Sequence, residues 1–343
     1  YFQPYSLENG VNPGRIPNRD SEVEIKELYI PESNSGNPDG IRRIAIVNKY
    51  VSWNEDEQAL DGHPNRDEAR IETLNQILDE IGRIRNCDLF VQPEISLPIY
   101  FVYRYLSFSA RNQIGFITGI EHIRIFNLGF NFVLTCLPIN IEGDRDAVPI
   151  FRLKNHYAPE EESKINEKYM VVPKPQKYLY HLFEWRNLYF SSYYCFELAD
   201  IFHRSALFSM VDLIAAPIWN KDTHYYNSLI ESATRDLHCY MVQVNTSQYG
   251  ETRLSRPTGH VRRDKARVKG GTTVDYKVTF LVSDIKIDEL RLFQRLRFEG
   301  QKELNRDDRS FKPTPPDFPY ENVEKRINNE RFGNQYNELQ PLP

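Results

Sequence analysis

No stretch of the chain approaches the ~20 consecutive apolar residues that a membrane-spanning helix requires, and the basic, apolar and small-residue succession of a signal peptide is missing. A cytoplasmic protein with no membrane partner is therefore expected. Charge of one sign is also lacking. Acidic and basic residues are well mixed and the net charge is -5, so nothing global draws the chain to nucleic acid. Cysteine is scarce, and Cys87, Cys136, Cys195 and Cys239 form no CxxC pair, which argues against a zinc ribbon or a redox dithiol. In a reducing compartment these are thiols, each to be explained by packing or by chemistry. The histidines, among them His156, His181, His203, His224, His238 and His260, stand in no recognisable partner motif. HExxH, the P-loop and GxGxxG are all missing, so no metal and no cofactor is expected.

What is present is a chain of 343 residues, long enough for one large α/β domain or two smaller ones. Residues 1–40, rich in Asn, Pro, Gly, Ser and Glu, read as an arm or linker. Residues 301–343 read as a C-terminal extension whose polar tail, opening at Lys312-Pro313-Thr314-Pro315-Pro316, has too little apolar content for a core. Between them, over 41–300, strand-like and helix-like segments alternate. Ile41 to Val47 suits a first strand, and Leu74, Ile77, Leu78, Ile81 and Ile84 recur at helical steps on a helix from about Asp67 to Arg85. Further strands are expected at Asp88 to Val91, Ile114 to Ile120, Phe130 to Ile139, Val211 to Ala216, Tyr240 to Asn245 and Val278 to Val282. Helices are expected near 198–208, 224–237 and 286–297. The pattern is that of a layered α/β fold with a mixed sheet.

Three segments carry candidate chemistry. In Leu89-Phe90-Val91-Gln92-Pro93-Glu94 an apolar strand is stopped by proline and followed by a carboxylate, and strand ends are where α/β folds place reactive groups. A desolvated Glu94 could serve as a base near neutral pH, although a capping or surface glutamate has the same pattern. Lys154 follows another apolar stretch, and taken alone it reads as a solvated lysine. Cys195 lies between the strand-like Phe190-Ser191-Ser192-Tyr193-Tyr194 and a helix beginning at Glu197, where the positive helix end would lower its pKa and favour thiolate. An inert buried thiol remains open for it.

Together these segments resemble the nitrilase superfamily of carbon-nitrogen hydrolases, whose catalytic set is glutamate, lysine and cysteine in that chain order. Pro93-Glu94 after a strand resembles the base motif, and Tyr194-Cys195-Phe196-Glu197 the nucleophile motif. Val211 to Trp219 resembles the strand and tryptophan loop that follow. Arg152-Leu153-Lys154 resembles the lysine motif with one departure, since the family more often has arginine directly before the lysine. The resemblance spans about 41 to 295 and implies a four-layer α-β-β-α sandwich with mixed sheets. It implies Glu94 as base, Lys154 and the backbone N–H of Phe196 as oxyanion partners, and Cys195 as nucleophile on an amide, carbamoyl or nitrile carbon. A second glutamate after the lysine is implied, with Glu162 favoured and Glu161 the alternative. Trp219 and Asn220 would border the substrate. The family also implies a homo-oligomer, associating through the helix after the nucleophile and through the C-terminal region; Ile201, Phe202, Leu207 and Phe208 could supply such a face or equally belong to the core.

The run from Asn155 to Glu161 and the terminal segments resemble the nitrilase modules attached to reverse transcriptases in bacterial antiphage systems, which leaves a regulatory or binding module as the competing reading. The basic run from Arg253 to Lys269 is a candidate phosphate contact, with a solvated hairpin as the plainer reading.

Overall fold

Side chains of the strand Ile41–Asn48 divide by parity, as a pleated strand requires: Ile44 and Ile46 enter one apolar cluster, Ala45 and Val47 another. Leu89 and Val91 repeat the first choice and Phe90 the second. In the strand Leu213–Pro217, Leu213 and Ala215 join the same first cluster, while Ile214 and Ala216 enter a third. Three apolar clusters separated by two sheets define four layers, helix, sheet, sheet, helix, with the first cluster packed between the sheets. The expected α-β-β-α sandwich is the observed architecture. The computed structural model describes residues 23–31, 40–259, 262–271, 275, 277–304 and 311–332. Positions 1–22 of the expected arm, His260, and the end of the expected tail, 333–343, lie outside the described residues.

Six strands form one sheet, in the order Thr279–Lys286, Ile41–Asn48, Leu89–Val91, Gly115–Gly119, Phe132–Ile141 and Asp144–Leu153. Seven form the other, in the order Val23–Tyr29, Tyr178–Trp185, Leu188–Ser192, Leu213–Pro217, Tyr240–Val244, Thr252–Ser255 and Asp264–Val268. Both are mixed: Ile41–Asn48, Leu89–Val91 and Gly115–Gly119 run parallel, as do Leu188–Ser192, Leu213–Pro217 and Tyr240–Val244, with antiparallel neighbours outside them. The helices of the described residues are α1 (Trp53–Leu60), α2 (Glu68–Arg83), α3 (Val102–Asn112), α4 (Pro159–Glu167), α5 (Ile201–Ser205), α6 (Thr223–Asp236), α7 (Ile287–Arg295), α8 (Arg297–Leu304) and α9 (Tyr320–Asn328). The stripe of α2, Leu74, Ile77, Leu78 and Ile81, is buried together with Phe108 of α3 against the six-stranded sheet. Tyr226, Leu229, Ile230 and Ala233 of α6 do the same for the other sheet. Each leucine, isoleucine or phenylalanine among them contributes about 1.5–3 kcal/mol.

Three expectations are corrected. Val23–Tyr29, assigned to an arm, is an edge strand paired in parallel with Tyr178–Trp185. Glu24, Lys26 and Glu27 gave it a polar look, and charges of this kind are how sheets blunt an open edge. The helix expected over 198–208 is a 3-10 turn, Cys195–Ala199, followed by the five-residue α5.

The third correction concerns the C-terminal segment, which carries few apolar residues yet packs firmly. Phe311, Phe318 and Val323 are buried, and Arg326 of α9 reaches the fully buried Asp212. Arg291 of α7 donates to the same carboxylate at 2.9 and 2.6 Å. Burial opposes charge on Asp212, but the two guanidiniums outweigh it and hold its pKa below the ordinary carboxylate value.

Candidate active site

Each sheet delivers half of one site. Glu94 follows the strand Leu89–Val91 and Lys154 follows Asp144–Leu153, both of the six-stranded sheet; Cys195 follows Leu188–Ser192 and Trp219 follows Leu213–Pro217, both of the seven-stranded sheet. Lys154 Nζ donates to Glu94 Oε1 at 2.6 Å, and the Trp219 backbone N–H donates to Glu94 Oε2 at 3.1 Å. Cys195 lines the same cavity as Glu94 and Lys154, and its thiol and the Glu94 carboxylate influence each other's ionisation. Glu94 and Lys154 are 2% and 1% exposed, so their interaction is scarcely screened by water.

Backbone geometry forces these approaches. Ile95 and Cys195 take φ values of 52° and 43°, left-handed conformations that are costly for a β-branched residue and for a residue with any Cβ. The bend at Cys195 turns its side chain out of the strand direction, as at a nucleophile elbow. Gly119 makes room for the base: a Cβ there would fall 2.6 Å from Glu94 Cα and 2.5 Å from Ile95 N, and would strike the Tyr194 hydroxyl. Arg152 and Lys154 share one strand face, two residues apart. Arg152 forms a two-point ion pair with the fully buried Glu197, at 2.7 and 2.8 Å. Glu197 also accepts from the backbone N–H groups of Asn155 and Tyr194, each at 2.7 Å. The lysine and cysteine segments are thereby pinned to one another. The departure at Leu153 has its explanation here, since the two-residue pleat keeps arginine and lysine on the same side.

A second carboxylate completes the constellation. Glu161 of α4 accepts from Lys154, from Asn131 Nδ2 at 2.6 Å and from the Ala158 N–H at 3.3 Å, and His122 Nε2 lies 3.1 Å from it. The other ring nitrogen of His122 is 2.6 Å from Asp56 Oδ1, and Asp56 accepts from Lys164 at 2.9 Å. Burial would neutralise these groups, but their mutual attraction wins. Despite burial, Lys154 and His122 hold Glu161 at about 2, Asp56 and Glu161 raise His122 to about 9, and Glu161 and Glu94 raise Lys154 above the ordinary lysine value. Glu94 moves the other way: burial raises its pKa, and the nearby charge of Glu161 adds to the rise.

The constellation opens into a cavity of about 260 Å³ bounded by Trp53, His122, Glu161, Lys164, Trp219 and Tyr249, among others. Trp53 packs on Trp219 with ring centroids 4.2 Å apart. A larger opening of about 420 Å³, lined by Arg43, Asp88, Arg186 and Asp284, contains none of the trio, and its walls are ion-paired with each other. The smaller cavity is the one that Glu94, Lys154 and Cys195 border.

No protein-family model matches this chain, and no curated protein matches it. Solved structures do. A mutant of the Nesterenkonia AN1 amidase from the nitrilase superfamily superposes with a TM-score of 0.52, covering 79% of this chain and 98% of its own at 14% identity. Another mutant of the amidase from Nesterenkonia sp. AN1, with the acetamide moiety of fluoroacetamide covalently added at the active-site cysteine, gives 0.51 over 80% and 99% at 13% identity. A third, in complex with butyramide, gives 0.51 over 78% and 96% at 14% identity. The chain has the nitrilase-superfamily fold.

Within this nitrilase-like frame, the sequence-derived site residues divide. Glu94, Lys154 and Cys195 converge, and Trp219 and Asn220 line the cavity with them. Glu162 does not. Its half-exposed carboxylate faces Lys174 at 3.6 Å, and Glu161 occupies the place beside the lysine. One step along a helix turns a side chain by about 100°, a distinction that three consecutive glutamates conceal. Phe196 is half-buried in the 3-10 turn, and its side chain does not line the cavity.

The expected lowering of the Cys195 pKa is reversed. Burial, and then the charge of Glu94, push the thiol above its ordinary value, and the short turn that follows has too few aligned peptides to act as a helix end. His122, Asp56 and Tyr226, whose hydroxyl lies 3.6 Å from Cys195 Sγ, were not anticipated. Asp56 sits on α1, where no helix was expected, and His122 follows the strand Gly115–Gly119 in a segment with no motif. Cys87, Cys136 and Cys239 are buried free thiols within apolar clusters. Of the basic run, Arg253, Arg263 and Arg267 are ion-paired with Glu231, Glu251 or Asp264 around a β-hairpin. Among the described residues, no helix is long and apolar enough to cross a membrane.

Proposed function

We propose that this chain hydrolyses the carbon-nitrogen bond of a small amide through a covalent thioester on Cys195. The observation that carries the reading is the convergence of Cys195, Lys154 and Glu94 on one cavity, with Lys154 paired to the buried Glu94 carboxylate. A thiol pushed upward by burial stores no thiolate, so its proton must move to Glu94 as sulfur attacks the carbonyl carbon. The oxyanion that forms is met by the Lys154 cation, with the Phe196 backbone N–H as the second donor. When the tetrahedral species collapses, Glu94 returns the proton to the departing nitrogen, and ammonia or an amine leaves. Water then enters, gives a proton to Glu94 and attacks the thioester. Collapse releases the carboxylic acid, and the sulfur recovers its proton from Glu94. Glu161 is assigned as the residue that keeps Lys154 cationic and Glu94 basic.

The volume of about 260 Å³ supports a small substrate, and the amide ligands of the amidase neighbours support amide over nitrile. Trp219 Nε1 is buried with no hydrogen-bond partner among the described residues, which makes it a donor for a substrate oxygen. Ile201 and Phe202, 72% and 62% exposed on α5, are assigned to self-association, which light scattering checks. Treatment with fluoroacetamide, followed by intact-mass and peptide mass spectrometry, tests the chemistry. One acetamide adduct at Cys195, lost in Cys195→Ala, together with turnover of small amides by the unmodified protein, is expected. An adduct that persists in Cys195→Ala would overturn the assignment. A purely binding module has no use for this arrangement, in which carboxylate, cation and thiol all border one cavity.

A further inference from the structure

The loop after Lys154 and the turn after Cys195 meet a second time, away from the cavity. His156 comes from the first, Asp200 ends the second as the N-cap of α5, and His203 lies on α5 itself. Nε2 of His156 lies 3.4 Å from Nε2 of His203 and 3.8 Å from Asp200 Oδ2, and one donor atom from each of the three residues lies within 4.8 Å of the others. A tetrahedral ion with bonds of about 2.0–2.1 Å separates its ligands by about 3.3–3.4 Å. The histidine pair already has that spacing, and Asp200 Oδ2, 3.8 Å from His156 Nε2, would have to move closer.

The groups behind these ligands hold them in a metal-binding pose. His203 is buried, and its Nδ1 lies 2.9 Å from the Tyr180 hydroxyl. With Nδ1–H donating to that oxygen, the Nε2 lone pair faces His156 and Asp200, the second-sphere arrangement common at histidine-ligated metals. Asp200 Oδ1 accepts from the N–H groups of Phe202 and His203 at 2.9 and 3.1 Å, which aims Oδ2 toward His156. Tyr178 packs on both rings, at 4.7 and 4.4 Å between centroids. The nearby Arg152 is engaged by Glu197, so its charge is already balanced.

We propose that His156, Asp200 and His203 bind one divalent transition-metal ion of the Zn²⁺ type, which ties the Lys154 loop to the Cys195 turn. Two imidazoles and one carboxylate are a ligand set suited to zinc, with water in the fourth position. The tie is independent of the Arg152–Glu197 clamp, and it involves none of the residues lining the cavity.

Chelator-treated protein titrated with Zn²⁺ by calorimetry tests this, with Co²⁺ absorption as a second readout. One equivalent is expected to bind, with the intense visible bands of four-coordinate Co²⁺. His156→Ala and Asp200→Asn should each weaken binding by at least about 100-fold, and Tyr180→Phe by about 10-fold to 100-fold. Asn retains the side-chain oxygen that accepts from Phe202 and His203, and His156 is partly exposed, so both variants should fold; circular dichroism verifies it. Cys195→Ala should bind Zn²⁺ as the wild type does. Failure of the wild type to bind one equivalent, unchanged affinity in His156→Ala and Asp200→Asn, or loss of binding in Cys195→Ala would each overturn the proposal.

Discussion

Replacing Glu161 by Gln removes one negative charge from the pair of carboxylates around Lys154 while keeping the shape of the side chain. Its size can be worked from the surroundings. Glu161 is held at about 2 instead of 4.5, so its ionised form is favoured by about 3 kcal/mol at 1.36 kcal/mol per unit. If all of that were lost from the reactive arrangement, Cys195 would react about 300-fold more slowly, and partial compensation by Glu94 sets a lower bound of about 10-fold. The rate of Cys195 alkylation by fluoroacetamide, followed by intact mass across pH, reads this without knowledge of the natural substrate. The acid limb should also move. Negative charge on Glu161 raises the Glu94 pKa, so the neutral Gln lets Glu94 stay ionised to lower pH. Glu162→Gln is the matched control, because its exposed pairing with Lys174 contributes little, and its rate should stay within about 2-fold of the wild type. A folded Glu161→Gln that reacts like the wild type, or a Glu162→Gln that reacts more slowly than it, would refute the reasoning.

His122 is raised from 6.5 to about 9, so its stabilisation is complete below about pH 6.5 and is lost as pH rises through about 9. Wild-type urea midpoints should fall over that window by the equivalent of about 3 kcal/mol, and those of His122→Gln should not; parallel curves would count against the charged histidine. Asp212→Asn leaves Arg291 and Arg326 buried without their shared carboxylate and should cost about 3–5 kcal/mol in chemical denaturation, with an unchanged midpoint as the contrary result. Gly119→Ala should destabilise by about 1–3 kcal/mol and slow Cys195 labelling, because the new methyl displaces the Glu94 segment; a variant matching the wild type in both would show that the close approach is dispensable.

The sequence made the layered fold legible because its strands carry strong periodicity: the alternation in Ile41–Asn48 and the stripe of α2 follow directly from which faces are buried. Glu94, Lys154 and Cys195 were legible as strand-end residues in a fixed chain order. Other features depend on contacts between distant segments. Glu161 and Glu162 look alike until α4 is oriented by packing of its buried Ile165. His122 matters because Asp56, 66 residues away in sequence, meets its ring. The C-terminal segment looked unable to fold against the body because apolar content was the measure, whereas much of its attachment is the ionic contact of Arg326 with Asp212. The cysteine's environment was misjudged because a helix of ordinary length was expected where a 3-10 turn and five helical residues stand.

Glu94 and Lys154 arrive on one sheet, and Cys195 and Trp219 on the other. Separated from the cation, Cys195 belongs to an ordinary thiol that ionises weakly near neutral pH, and Glu94, once wetted, is an ordinary weak base. The proposed reactivity would therefore belong to the packed sandwich and not to any one segment. On the proposed mechanism neither sheet alone brings carboxylate, ammonium and thiol together, so hydrolysis would depend on one sheet being seated upon the other.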